Sequence, residues 1–339
     1  MPRRTLLVLS LAALLALGLL APAAQAAVPS WARPAVRYLA DKGILDRDTF
    51  RANRSMSRAA FSTLMVTAFG PGHYLGTTGK VTAGEVDTAL VKALGYMPLA
   101  RKLRRMTSPD GWSPRRNRRF GTEIMARELG LRYNRPTTEE QFEAAAGDPL
   151  RQADIAYAVW KARVAPNTWA ATELEGFSLP DYNATARRVL QFAMAQVGQP
   201  YYWSGEWTSK TPAGYPFGAQ SAAGVDCSGF VWYVLQKKTT SYSPDRDYEG
   251  WSLPQRSSAD MAGATKMRIR YRDLKPADVL LFASGGRGSD PSTVYHAGLY
   301  MGNGWMIDST GSQAGVSLSY IGSGSWWRSQ LVFGRRVVR

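Results

Sequence analysis

The 339-residue chain has one cysteine and two histidines, and the cysteine and one histidine stand in stretches that can do chemistry. Cys227 lies in Gly224-Val225-Asp226-Cys227-Ser228-Gly229-Phe230-Val231-Trp232. Asp226 is a favoured N-cap residue, and Phe230, Val231, Val234 and Leu235 behind it recur at helical spacing. Cys227 is therefore predicted in the first turn of a partly buried helix. Unpaired backbone N–H groups and the positive end of the helix dipole meet the sulfur there, and both favour thiolate over thiol. A lone cysteine is more often a small buried apolar residue; a second feature reverses that balance. His296 sits in a strand-like segment, Thr293–Met301, followed by a Gly302-Asn303-Gly304 turn and another strand-like segment. It is the available general base for the thiol. The other histidine, His73, occupies the turn Pro71-Gly72-His73-Tyr74 without a metal-binding cluster around it. No metal and no cofactor is expected.

Upstream, Gly198-Gln199-Pro200-Tyr201-Tyr202-Trp203 follows a well-patterned helix, and downstream Asp273-Leu274-Lys275-Pro276-Ala277-Asp278 makes a turn before a strand. With the Asp226-Cys227-Ser228-Gly229 stretch and the His296 strand, these four motifs in this order resemble the NlpC/p60 family of papain-like cysteine peptidases, over roughly residues 184 to 339. The resemblance implies an α+β catalytic domain with helices packed on an antiparallel sheet. It also implies the substrate, a peptidoglycan stem peptide cut near a D-glutamyl to diamino-acid bond. Tyr201 resembles the family's tyrosine beside the nucleophile. Asp226 and Ser228 match positions that in some members hold the free amine of the stem peptide, although Asp226 also reads as a helix cap.

The family supplies its third catalytic residue on the strand after the base, where this sequence has Asp308. Two hairpin registers test that placement. A two-residue Asn303-Gly304 loop sets Leu299 opposite Asp308 and puts the carboxylate on the apolar face with Met301. A three-residue Gly302-Asn303-Gly304 loop sets Met301 opposite Trp305, Leu299 opposite Ile307 and Gly298 opposite Asp308. Only the second gives a single apolar face. It makes Asp308 a diagonal neighbour of His296, roughly 7–8 Å away between backbones, across a glycine. A carboxylate there accepts the imidazole N–H and stabilises the imidazolium.

These residues need elements to position them. The helix expected after residue 183 has Ala186, Val189, Leu190, Ala193, Met194 and Val197 on one face and ends at Gly198 and Pro200. Residues 206–223 form a long loop delivering Cys227, and Val279–Phe282, 294–301, 305–310 and 331–333 read as strands. A nucleophile helix against a sheet carrying the base is an α+β arrangement.

Length favours two domains. Residues 1–26 read as a secretory signal, with Arg3 and Arg4 ahead of the apolar run Leu6–Leu20 and a small-residue site at Ala24-Gln25-Ala26. An uncleaved membrane anchor is the lesser reading, because the apolar run is short. No lipid anchor is expected, since no cysteine follows that run. Removing the signal takes the formal net charge from +16 to +14, which favours polyanionic surroundings. For an exported, wall-associated protein these are anionic cell-wall polymers or lipids and not nucleic acid, with no stable membrane insertion once the signal is gone.

Residues 27–175 read as all-helical. Ser57-Arg58-Ala59-Ala60 opens an amphipathic helix and resembles a surface-layer homology repeat, with Ala60 where that family usually has an acid. Weaker echoes begin at Val81-Thr82-Ala83-Gly84-Glu85-Val86 and Leu150-Arg151-Gln152-Ala153-Asp154-Ile155. The resemblance implies wall-polymer binding; an ordinary helical domain is the plain alternative. Arginine runs at 101–105 and 115–119 are either solvated faces or polyanion contacts. Residues 176–183 read as an interdomain linker and 184–339 as the peptidase domain. The expected function is a secreted cysteine endopeptidase of the cell wall. The alternatives are an acyltransferase or amidase using the same cysteine and histidine, or a non-catalytic wall-binding protein.

Overall fold

The computed structural model describes residues 28–210, 219–235 and 253–337, so the signal expected over 1–26 lies outside the described residues. In the first half the amphipathic stretches form helices α1 (Arg33–Asp41), α2 (Arg58–Phe69), α3 (Ala83–Ala93), α4 (Met97–Arg105), α5 (Phe120–Glu128), α6 (Gln152–Val164) and α7 (Thr168–Glu175). Ser57 caps α2 by accepting the Ala60 N–H at 3.1 Å, and Glu85 reaches back from α3 to the Thr82 N–H at 2.9 Å. Each satisfies a donor that its helix leaves without a partner. The three segments that echo one another meet in space. Met56 N–H donates to the Leu150 carbonyl (3.3 Å), Leu150 N–H to that of Val81 (3.1 Å), and Val81 N–H to that of Met56 (3.0 Å). Helices α2, α3 and α6 therefore all leave from one ring of three backbone hydrogen bonds.

The second half contains α8 (Ala184–Ala195), β1 (Glu206–Trp207), β2 (Gly224–Val225), α9 (Cys227–Leu235), α10 (Ser258–Gly263), β3 (Val279–Phe282), β4 (His296–Gly302), β5 (Trp305–Thr310), β6 (Gly315–Tyr320), α11 (Trp326–Gln330) and β7 (Leu331–Arg335). Strands β3 to β7 make an antiparallel sheet in the order β6-β5-β4-β3-β7. Ala297, Leu299, Met301 and Ile307 point from one face into the main core, with α9 against β4 and β5 and α8 behind it. The other face carries a smaller apolar cluster of Leu280, Phe282, Tyr300 and Met306. The α+β architecture expected from the sequence is the one observed. Strand β6 is an addition to it: Val316 and Leu318 face the main core, but the alternation is only two apolar residues long, and Ser317 and Ser319 between and after them are buried serines.

The segment 176–183, expected as an interdomain linker, does join the two halves but is packed against them. The Phe177 ring meets Trp305 edge-on at 5.3 Å, and the Tyr182 hydroxyl donates to the Met301 carbonyl at 2.7 Å. Glycine and proline mark where a helix stops; they do not say whether the connecting chain is solvated. Both halves contribute to one apolar core, and α5 packs against β6. From α5 the buried Arg127 donates to the carbonyls of Gly198 (2.8 Å), Gln313 (3.1 Å) and Ala314. It also faces the buried Glu123 at 3.7 Å.

Arg127→Ala leaves those buried carbonyls without their donor and leaves Glu123 only the Arg132 guanidinium at 3.8 Å, and should cost about 3–5 kcal/mol in denaturant titration. Because the core is shared, the wild-type chain should unfold in one transition by circular dichroism and by tryptophan fluorescence. Two separated transitions would contradict the brace.

Candidate active site

Helix α9 opens as its sequence requires: Asp226 Oδ1 accepts the Gly229 N–H at 2.6 Å. Cys227 is the first helical residue. Its Sγ lies 3.7 Å from the Tyr295 carbonyl oxygen, which accepts the S–H. Cys227 is only 9% exposed, and the exposure it has opens into a cleft of about 950 Å³ that it lines together with Tyr201 and His296.

His296 begins β4, and its Nε2 is 2.8 Å from Asp308 Oδ2 on β5. The register that brings them together pairs Gly298 with Asp308 and Leu299 with Ile307, as the single apolar face demands. The carboxylate passes over Gly298, where a Cβ would stand 3.1 Å from Asp308 Cβ and 2.9 Å from Met306 Sδ. At the hairpin tip the structure corrects the sequence argument. Tyr300 pairs with Met306 but Gly302 pairs with Trp305, so the turn is the two-residue Asn303-Gly304 and Met301 has no partner of its own. Asn303 and Gly304 have φ of 51° and 79°, the signs of a type I′ turn. The extra residue is a bulge that shifts the register once, between tip and site. Neither uniform register holds along the whole hairpin; the chain uses one at each end.

Burial of the His296 ring opposes its charge. Negative charge at Cys227, the Asp308 hydrogen bond, contact with the Cys227 side chain and the Asp308 charge outweigh it, and the pKa is pushed up from 6.5 to about 10. Trp327 stacks on the imidazole at 4.4 Å and 28°, closing the ring's open face. Asp308 is fully buried, and its Oδ1 has no hydrogen-bond partner among the described residues. Across the β5–β6 ladder from Asp308 is Ser317, whose Oγ donates to Glu128 Oε1 of α5 at 2.8 Å. Burial pushes the Glu128 pKa up to about 8 against its bonds from Ser317 and Gln313, with the Asp308 charge adding to the rise.

Of the residues read as substrate-binding, all three line the cleft, but their commitments differ. Burial, with the charges of Cys227 and Asp226, holds the Tyr201 hydroxyl pKa above its usual value. Asp226 is saturated: besides capping α9 it accepts from Ser228 Oγ at 3.2 Å and from Arg256 Nη1 and Nη2 at 3.2 and 3.1 Å. Arg256 also donates to Ser228 Oγ (2.9 Å) and pairs with Glu206 (3.2 Å). Burial pushes the Glu206 pKa up to about 7 against the pull of Arg256. From the first half, Glu140 accepts the Trp203 N–H at 2.8 Å. Sequence reasoning missed Arg256, Glu206, Glu140 and Trp327. Only the paired tryptophans Trp326-Trp327 gave a signal, and that signal did not say what they would stack on. Among the described residues no group of three or more His, Cys, Asp or Glu is gathered where it could hold a metal ion.

A thiol at a helix start, and an imidazole and carboxylate on an antiparallel sheet beside it, define the constellation. Residues 198–336, within the C-terminal half of the chain, match the model of the NlpC/P60 family. The gamma-DL-glutamyl hydrolase of Bacillus subtilis is 27% identical over 50% of this chain and 33% of its own. A probable endopeptidase p60 of Listeria innocua is 34% identical over 36% of this chain and 21% of its own. The murein DD-endopeptidase MepH of Escherichia coli is 29% identical over 43% of each chain. The chain thus spans well under half the length of each of these relatives. Among solved structures, the peptidoglycan hydrolase RipB of Mycobacterium tuberculosis is 26% identical, with a TM-score of 0.32, over 47% of this chain and 69% of that one.

A folded-state pKa above the ordinary value means the unfolded chain loses this proton first. The contribution of charged His296 to stability is full below pH 6.5 and is lost as pH rises through about 10. Asp308→Asn should lower the His296 pKa, read by NMR on a chain with only two histidines, and flatten the fall of stability between pH 7 and 9. An unchanged titration would contradict the assigned partner.

Proposed function

We propose that the chain is an exported cysteine endopeptidase that hydrolyses peptidoglycan stem peptides. The observation carrying this reading is the convergence of Cys227 and His296 on one cleft, with Asp308 buried 2.8 Å behind the imidazole. With its pKa pushed up to about 10 beside Cys227, His296 holds the thiol proton as an imidazolium, and the Sγ thiolate attacks the carbonyl carbon. The tetrahedral intermediate then expels the amine, which takes the proton from the imidazolium. Water, deprotonated by His296, cleaves the thioester and frees the acid product and the thiol. Asp308 accepts the imidazole N–H throughout and balances its charge. Trp327 limits the ring's rotation.

The gamma-DL-glutamyl hydrolase and the endopeptidases among the relatives support the substrate class, with cleavage near a D-glutamyl to diamino-acid bond. The electrostatics support a cationic amine at one end of the cleft, where Glu140, Glu206 and Asp226 outnumber Arg256. In this reading Tyr201 and Ser228 contact the substrate, while Asp226 contributes charge and holds the helix start. Residues 1–26 serve as the export signal. Residues 27–175, joined through 176–183 to the catalytic residues 184–339, attach the enzyme to an anionic wall polymer. Supporting that role, Arg116 donates to the Arg104 carbonyl at 2.6 Å, which brings the two arginine runs together in space.

Cys227→Ala should abolish release of stem-peptide products from defined wall fragments, followed by mass spectrometry, with little change in melting temperature. Asp308→Asn should keep part of the activity and Asp308→Ala much less. Full turnover by Cys227→Ala, or products of acyl transfer in place of hydrolysis, would overturn the reading.

A further inference from the structure

A second concavity lies across α11 from the active-site cleft. It holds about 660 Å³ and is lined by Arg268, Arg270, Arg272, Arg287 and Arg328, with Tyr271 and Phe333 among its walls. Helix α11 divides the two cavities, giving Trp326 and Trp327 to the catalytic side and Arg328 and Ser329 to this one. The groove is built on the sheet edge. Ile269 exchanges two backbone hydrogen bonds of 2.8 Å with Gly334 of β7. Ile269 is buried while Arg268 and Arg270 on either side are exposed, as alternation along an extended segment requires.

Two of the guanidinium groups are held in place before any ligand arrives. Arg328 lies over the Tyr271 ring at 3.4 Å and Arg268 over the Phe333 ring at 4.8 Å. A guanidinium laid flat on a ring keeps its N–H edges free and has already lost much of its rotamer freedom. The carboxylates in reach are Asp273, paired with Arg270 at 3.1 Å and Arg272 at 3.8 Å, and Asp290, which feels the charge of Arg268. Five arginines against two carboxylates leave an excess of three positive charges in one concave wall. Planar, bidentate donors in excess are the chemistry that recognises phosphate.

We propose that this groove is a binding site for a linear polyol-phosphate chain. A groove of this volume admits one extended chain and excludes a duplex. The two rings that a nucleic-acid base would stack on are covered by guanidinium groups. A concave wall suits a strand better than the flat surface of a bilayer. The site differs from the arginine runs of the first half, and it stands whether or not the cleft is a peptidase.

The test is calorimetric titration of the full chain with purified poly(glycerol phosphate) at several salt concentrations. Arg268→Gln/Arg272→Gln/Arg287→Gln changes exposed side chains outside the catalytic machinery. It should weaken binding at least tenfold and reduce the salt slope by about 2, at roughly 0.7 per charge removed. Placed in an Arg101→Gln/Arg104→Gln/Arg105→Gln background, which removes any contribution of the first-half arginine runs, the groove variant should still weaken the remaining binding at least tenfold. Unchanged affinity on adding the groove substitutions, in either background, would overturn the site. Equal or tighter groove-dependent binding of phosphatidylglycerol vesicles, or of a single-stranded oligonucleotide with the same number of phosphates, would overturn the ligand class.

Discussion

A carboxylate 2.8 Å from an imidazole nitrogen inside this fold is a matter of strand register. Side chains alternate with a period of two, so a slip of one residue between β4 and β5 would carry Asp308 to the face of Leu299 and Met301, into apolar packing against α9. A charge there would have no partner, while His296 would lose its acceptor. The ladder avoids the slip because Ile307 must stay on the apolar face. It tolerates a carboxylate crossing toward the ring because Gly298 has no side chain in the way. The bulge at Met301 separates two requirements that would otherwise conflict: a tight turn at Asn303-Gly304, and an in-phase ladder at the site.

What lies behind this pair is as telling as what lies in front. On the cleft side are the thiol and the stacked Trp327 ring. On the far side, α5 sends Glu128 to Ser317, the cross-strand neighbour of Asp308, and Arg127 to the carbonyls that flank the start of β6. The helical half is thus part of the wall that supports the strands carrying His296 and Asp308. Its Glu140 performs the same service at the Tyr201–Trp203 segment.

The site was legible in the sequence to the extent that its signals were local. Asp226 announces a cap, and the capped helix places Cys227. The alternation around Leu299 and Ile307 selects the inner register, and with it Asp308. The signals failed where meaning came from tertiary contact. Arg256 stands between two segments without a periodic pattern and gains its importance only from Asp226, Ser228 and Glu206 converging on it. Strand β6 was missed because only Val316 and Leu318 face the main core, while the alternate positions Ser317 and Ser319 are serines buried by tertiary contact, Ser317 by its bond to Glu128. Residues 176–183 read as a linker because breaker residues report the end of a helix and carry no information about Trp305 waiting to pack on Phe177.

The ring formed by Met56, Val81 and Leu150 carries one more consequence. Each member gives one N–H and takes one on its carbonyl, so three donors meet three acceptors and nothing is left over. Stacked solenoids keep an unsatisfied end to which another unit can be added. A cyclic exchange has no such end. A fourth unit inserted here would find no free backbone group to join and would have to break a bond already made. The number of segments in this ring is therefore fixed at three by closure, in the way the strand count of a barrel is fixed.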